Sequence, residues 1–143
     1  MIEFISEADF EFSQENEISN WIESVIEAEG CFLGEITYVF CDDKYLLSLN
    51  EEYLNHDTLT DIISFDYCVG KQVHGEIYIS VERVRDNASD FEVPFENELL
   101  RVLIHGILHF LGYTDTSENE KLLMREKENT YIALYESNNH LSL

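Results

Sequence analysis

The 143-residue chain has one proline, three cysteines and only eight basic residues. With Pro94 alone, and no Pro-, Gly- or Ser-rich tract, nothing in the sequence reads as a linker, so one domain over residues 1–143 is expected. Cys31, Cys41 and Cys68 are odd in number and form no CxxC pair. A disulfide framework is thereby disfavoured, and free thiols packed into a core in a reducing compartment are expected. No apolar run approaches the length of a membrane span. The opening "MIEFISEADFEF" is acidic where a signal peptide would be basic and apolar, which makes the cytoplasm the expected location. Thirty acidic residues against eight basic ones give a net charge of −22, a field that repels polyanions. Composition alone therefore argues against a nucleic-acid partner and for a solvated, solubilising surface. The imbalance is uneven: residues 1–60 carry fifteen acids and only Lys44, whereas residues 61–143 carry fifteen acids and seven bases.

Hydrophobic content is ample, at 45%, with 13% aromatics, and its periodicity assigns most elements. A short strand is expected at 2–6. Ile18, Trp21, Ile22, Val25 and Ile26 fall at helical spacing over 15–29, with Gly30 as a C-terminal stop. "GEITYVFC" alternates as a strand does. Asp42 and Asp43 can cap a helix that carries Tyr45, Leu46, Leu49 and Tyr53. "DIISFDY" and "GEIYIS" read as strands divided by the turn-like "VGKQVH". Helices are expected over 81–90, from Pro94 to about Gly112 with Glu96 and Glu98 at the positive end of the dipole, and over 117–136. The order β-α-β-α-β-β-α-α-α implies an α+β fold, with a mixed, roughly four-stranded sheet and about five helices.

The helix through 99–111, "LLRVLIHGILHFL", is apolar almost all round and belongs in the interior. Two imidazoles in such a helix cost free energy unless their nitrogens find partners. Either histidine alone is explained by packing. Together, four residues apart, His105 and His109 share one face. Gly112 can take the left-handed conformation that ends the helix and turns Asp115 back towards both rings. The pattern H-x-x-x-H-x-x-G-x-x-D offers two nitrogen donors and one carboxylate, at the C-terminal end of a buried helix. One zinc ion takes such a set and keeps a fourth position for water, as catalytic rather than structural sites do. Metzincin proteases share the spacing, but their second position is the glutamate that serves as general base. Here it is Gly106. A metallopeptidase would need another base, and Asp61 or Glu76 from the sheet are the candidates.

With its flanking segments the chain resembles the YbeY family of bacterial endoribonucleases, whose signature is H-G-x-L-H-L-x-G-Y-D-H. Residues 105–115, "HGILHFLGYTD", match it at His105, Gly106, Leu108, His109, Gly112 and Tyr113. "LNEEYLNHDTLTDIISFDY" (49–67) and "GEIYISVERVRDNA" (75–88) are similar to two further family segments, in the family's order. The resemblance implies a zinc-dependent, single-strand-specific endoribonuclease. It would act on ribosomal RNA, at the 3′ end of the small-subunit RNA, and in ribosome quality control. The family's three zinc-binding positions fall on His105, His109 and Asp115.

Two departures stand out. Asp115 replaces the commoner third histidine, with Thr114 before it, which keeps a zinc ligand but lowers the net positive charge at the metal. Leu54 stands where the family often has an arginine thought to serve catalysis, so a cation for the phosphate must come from elsewhere, with Arg83, Arg85 and Arg101 as candidates. An acidic surface would suit docking to a basic ribosomal protein. Asp61 is expected to bond backbone, and His56, His74 and His140 to lie in loops or the tail. The alternatives are a zinc metallopeptidase and a non-catalytic, zinc-stabilised ribosome-assembly factor.

Overall fold

The computed structural model describes residues 1–54 and 60–139, which leaves His56, His140 and the side chain of Leu54 outside the described part. Four strands, β1 (Ile2–Ser6), β2 (Phe32–Cys41), β3 (Ile62–Asp66) and β4 (Gln72–Ser80), form one sheet in the order β1-β2-β4-β3. β1 and β4 both run parallel to β2, and β3 is antiparallel to β4. The sheet is thus mixed, as expected. β2 and β4, central and covered on both faces along part of their length, carry the dense apolar runs of buried parallel strands.

Five helices accompany the sheet: α1 (Glu15–Ala28), α2 (Asp43–Leu54), α3 (Val81–Asp90), α4 (Phe95–Phe110) and α5 (Glu118–Asn139). The apolar stripe read from the sequence is the buried face of α1, and Gly30 takes a positive φ of 81° just beyond its end. The main core joins that stripe to Ile36, Tyr38, Ile77 and Ile79 of the sheet and to the apolar positions of α4 and α5. A smaller cluster of Cys41, Leu46 and Ile63 lies under α2 on the other face. Asp42 caps α2 by accepting from the Tyr45 N–H at 2.8 Å. All three cysteines are free thiols. Burial, with Asp42, Asp43 and Glu7 nearby, pushes Cys41 up to about 12, which makes it an inert core residue.

Several expectations need correction. The turn between β3 and β4 is tighter than "VGKQVH" suggested: Val69 and Gln72 pair across it, so Gln72, Val73 and His74 belong to β4. His74 is therefore a strand residue, and its Nδ1 accepts the Glu35 N–H at 3.0 Å. β2 also begins two residues earlier than expected, at Phe32, and α5 runs three residues further, to Asn139.

Buried polar groups fix the helices that position the site. The Tyr38 hydroxyl donates to the Leu103 carbonyl at 2.9 Å, which ties α4 to β2 one half-turn before His105. The Trp21 indole donates to the Tyr131 carbonyl at 2.8 Å and joins α1 to α5. At the end of α1, Glu29 accepts from the hydroxyls of Tyr113 (2.6 Å) and Tyr131 and from the Lys127 ammonium (3.2 Å). This cluster clamps the segment leading to Asp115 against two helices. Burial would raise the Glu29 carboxyl, but those three donors hold it below its ordinary value of 4.5. A depressed carboxylate stabilises the fold above its unfolded pKa, and that contribution is lost as the pH falls through the folded value. Glu29→Gln is therefore expected to cost about 2 kcal/mol at neutral pH. In urea titrations that difference should shrink progressively below pH 4.5. A difference that grew on acidification would contradict this role.

Candidate metal centre

α4 is buried at ten of its sixteen positions and stands between the sheet, α3 and α5. Gly106 is one reason it lies so close to the sheet. A Cβ there would meet Ile77 Cδ1 at 2.9 Å and Ile62 Cδ1 at 3.1 Å. Position 106 thus faces β3 and β4. His105 and His109 project from the adjoining side of the helix, about a quarter-turn round from it, half-buried, in its last turns. Beyond them Gly112 adopts φ 103°, a conformation that strains any other residue. The Gly112 and Tyr113 N–H groups bond back to the His109 and Leu108 carbonyls, and the chain reverses. Asp115 is thereby brought to both rings.

The resulting triangle is compact. His105 Nε2 lies 2.9 Å from His109 Nε2 and 3.3 Å from Asp115 Oδ2, and His109 Nε2 lies 3.7 Å from the same oxygen. The outer ring nitrogens decide what this means. His105 Nδ1 is 2.7 Å from Glu128 Oε2, and His109 Nδ1 is 3.0 Å from the Tyr113 carbonyl oxygen. Both partners are acceptors, so each Nδ1 carries a proton and each Nε2 is turned inwards. With both rings neutral, two Nε2 lone pairs and a carboxylate oxygen face one another, which is unfavourable unless a metal ion, or a proton on one Nε2, sits between them. Two zinc bonds of about 2.05 Å at the tetrahedral angle span about 3.3 Å, close to the mean of the three separations. The donor set and its spacing fit zinc, and the three residues form a group able to hold a metal ion.

The electrostatics of the two rings differ. Burial alone would lower the His105 pKa, but the Glu128, Asp115 and Asp61 carboxylates outweigh it and raise it. His109 is lowered by burial and by its neighbour His105. A proton on His105 would occupy the same place as a metal, so the two compete there. Glu128 itself is 4% exposed, and its carboxyl is held down, against burial, by His105 and by Arg101 at 2.9 Å. Arg101 also reaches Asn129 at 2.9 Å. A chain Asn129–Arg101–Glu128–His105 therefore orients the first histidine.

Glu128 was not singled out by sequence reasoning, although it left a signal. It shares the buried stripe of α5 with Met124, Tyr131, Ile132 and Tyr135, and is the one charged member. A carboxylate on an apolar stripe requires a buried partner.

Two clefts flank the triangle. One, of about 310 Å³, is lined by Asp61, Asn87, Glu98 and Arg101; the other, of about 380 Å³, by Glu118, Lys121, Leu122 and Met124. His105, Asp115, Arg125 and Glu128 border both. Asp61, just before β3, thus reaches the site: its carboxyl contacts Asn87 at 3.4 Å, and burial raises its pKa. Glu76 does not, since it lines a separate hollow with Glu35, Tyr67 and His74. Of the three arginines considered as phosphate ligands, Arg83 is committed to Asp43 and Asp86, and Arg85 lies over the Phe95 ring. Arg101 is the one at the site, and it is held by Glu128.

Known proteins resemble this chain over nearly its whole length. The family described as Endoribonuclease YbeY matches residues 3–136. A Flavobacterium psychrophilum protein named Endoribonuclease YbeY is 58% identical over 135 residues, covering 94% of this chain and 96% of its own. Its Flavobacterium johnsoniae counterpart, of the same name, is 56% identical over 135 residues, covering 94% and 97%. The solution structure of TM1509 from Thermotoga maritima superposes with a TM-score of 0.73 at 28% identity, covering 98% of this chain and 92% of that one. By the family match and by these relatives, the chain belongs to the YbeY endoribonuclease family.

Proposed function

We propose that the protein is a zinc-dependent endoribonuclease that cuts single-stranded RNA, with His105, His109 and Asp115 holding the metal. The observation that carries this reading is the triangle itself, in which both Nδ1 atoms are tied to acceptors and both Nε2 atoms converge on Asp115. Zinc bound there supplies Lewis-acid polarisation of a phosphoryl oxygen and activation of a water. The chain's own contribution is positional. Glu128 fixes the tautomer of His105, the Tyr113 carbonyl fixes that of His109, and Gly112 sets the reach of Asp115. Asp61 and Glu98, both raised by burial, are the carboxyls available in the adjoining cleft to hold or pass a proton during attack on a phosphodiester.

The substrate in this reading is ribosomal RNA, at the 3′ end of the small-subunit RNA, with a role in ribosome quality control. A basic ribosomal protein is the fitting partner for a surface of charge −22, and the cytoplasm is the corresponding location. Among the described residues no helix is long and apolar enough to cross a membrane. Gly106 faces Ile77 and Ile62, so the peptidase alternative gains no base from the helix.

The test is cleavage of a small-subunit 3′-end fragment by purified, zinc-loaded protein, in single-stranded form and annealed to its complement. Cutting of the free strand and protection of the duplex are expected. Equal cutting of both, or of neither, would overturn the proposal.

A further inference from the structure

The triangle explains where a metal sits but not how a chain of charge −22 holds a polyanion beside it. A zinc ion on two neutral imidazoles and one carboxylate leaves a net charge of +1, whereas a nucleic-acid strand brings one negative charge per phosphate. The deployment of the eight cations is informative. Arg83, Arg101 and Lys127 are paired with carboxylates, and Arg85 lies over Phe95. Lys44 and Lys71 sit in α2 and in the β3–β4 turn. Lys121 and Arg125 remain. They are exposed, one turn apart on the same face of α5, and make no salt bridge among the described residues. Both line the 380 Å³ cleft that borders His105 and Asp115.

The two clefts differ in sign. Beyond the residues they share, the 310 Å³ cleft adds Asp61 and Glu98, while its Arg101 is engaged by Glu128. The 380 Å³ cleft adds one acid, Glu118, and one free cation, Lys121, to the shared Arg125. Leu122, between the two cations in sequence and 67% exposed, lines the same cleft and offers an apolar surface to a ribose or base. We propose that Lys121 and Arg125 bind the phosphates next to the scissile one, so that the RNA strand enters along α5 and leaves the Asp61–Glu98 cleft free for proton transfer. This assignment rests on the endoribonuclease reading above.

The experiment compares zinc-loaded wild-type protein with Lys121→Gln/Arg125→Gln on a single-stranded RNA oligonucleotide over a range of salt. Each phosphate contact contributes about 0.7 to the slope of log affinity against log salt on a single strand, so losing two lowers the slope by about 1.4. KM is expected to rise at least tenfold, with kcat within about threefold and zinc content unchanged. Lys121→Arg/Arg125→Lys should restore the slope, and Lys71→Gln, remote from both clefts, should leave KM and slope as in wild type. Unchanged KM and slope in the double glutamine variant would overturn the clamp while wild-type cleavage left the endoribonuclease reading standing. Loss of zinc from that variant would also overturn it, by placing the two residues in the metal site. A wild-type protein that neither binds nor cuts RNA would overturn both readings.

Discussion

His109→Ala is expected to fold like the metal-free wild-type protein, retain no zinc after dialysis, and cut single-stranded RNA at least about a thousandfold more slowly. The size follows from position. Losing a residue that merely orients a ligand typically costs about 10–100-fold in metal affinity or activity, and His109 would be a ligand itself. Removing one of three ligands leaves His105 and Asp115 to hold the ion alone. The fold should survive because the His109 side chain is 32% exposed and alanine is a good helix former. Circular dichroism and urea midpoints should therefore match chelated wild type to within about 0.5 kcal/mol, as for surface substitutions. Zinc analysis and a cleavage time course provide the other two readouts. A variant that folds, loses zinc and still cuts at the wild-type rate would remove metal chemistry from the function.

Glu128→Ala is expected to damage both stability and metal binding. Glu128 is buried between the His105 ring and the Arg101 guanidinium, whose side chain is 18% exposed. Breaking a buried ion pair by deleting one partner costs about 3–5 kcal/mol, and Arg101 keeps Asn129, so a loss near 3 kcal/mol is expected. His105 would at the same time lose the acceptor that fixes its tautomer, with zinc affinity falling about 10–100-fold. Glu128→Gln separates the two effects. Its amide oxygen can still accept from His105 Nδ1, so zinc affinity should be less affected than in Glu128→Ala, while the charge facing Arg101 is gone. Denaturation of the chelated proteins reads the first effect and competitive zinc titration the second. Equal zinc affinity in wild type and Glu128→Ala would show that the contact is structural only.

The convergence of the three candidate metal ligands was largely legible in the sequence because it is local. His105, His109, Gly112 and Asp115 span eleven residues, and helix periodicity with one left-handed glycine suffices to bring them together. The α1 and β2 patterns were legible for a similar reason, since each is set by burial on one element. What escaped depends on tertiary approach. Glu128 meets His105 across 23 residues of chain, and only its place on an apolar stripe hinted at a partner. The placement of β4 between β2 and β3 follows from packing that no local pattern encodes. His74 was misread because a tight Gly70–Lys71 turn leaves "QVH" inside the strand. Which of the seven cations in residues 61–143 border the site is likewise tertiary: Lys121 and Arg125 line the cleft beside His105 and Asp115, and Arg83 and Arg85 do not.

The most direct test is a stepwise return of zinc to chelated protein while cleavage of single-stranded RNA is followed. Activity should be absent without metal, rise linearly and reach its plateau at one zinc per chain. Full activity in the metal-free protein, or a rise under the same additions in His109→Ala equal to that of wild type, would contradict the His105–His109–Asp115 centre.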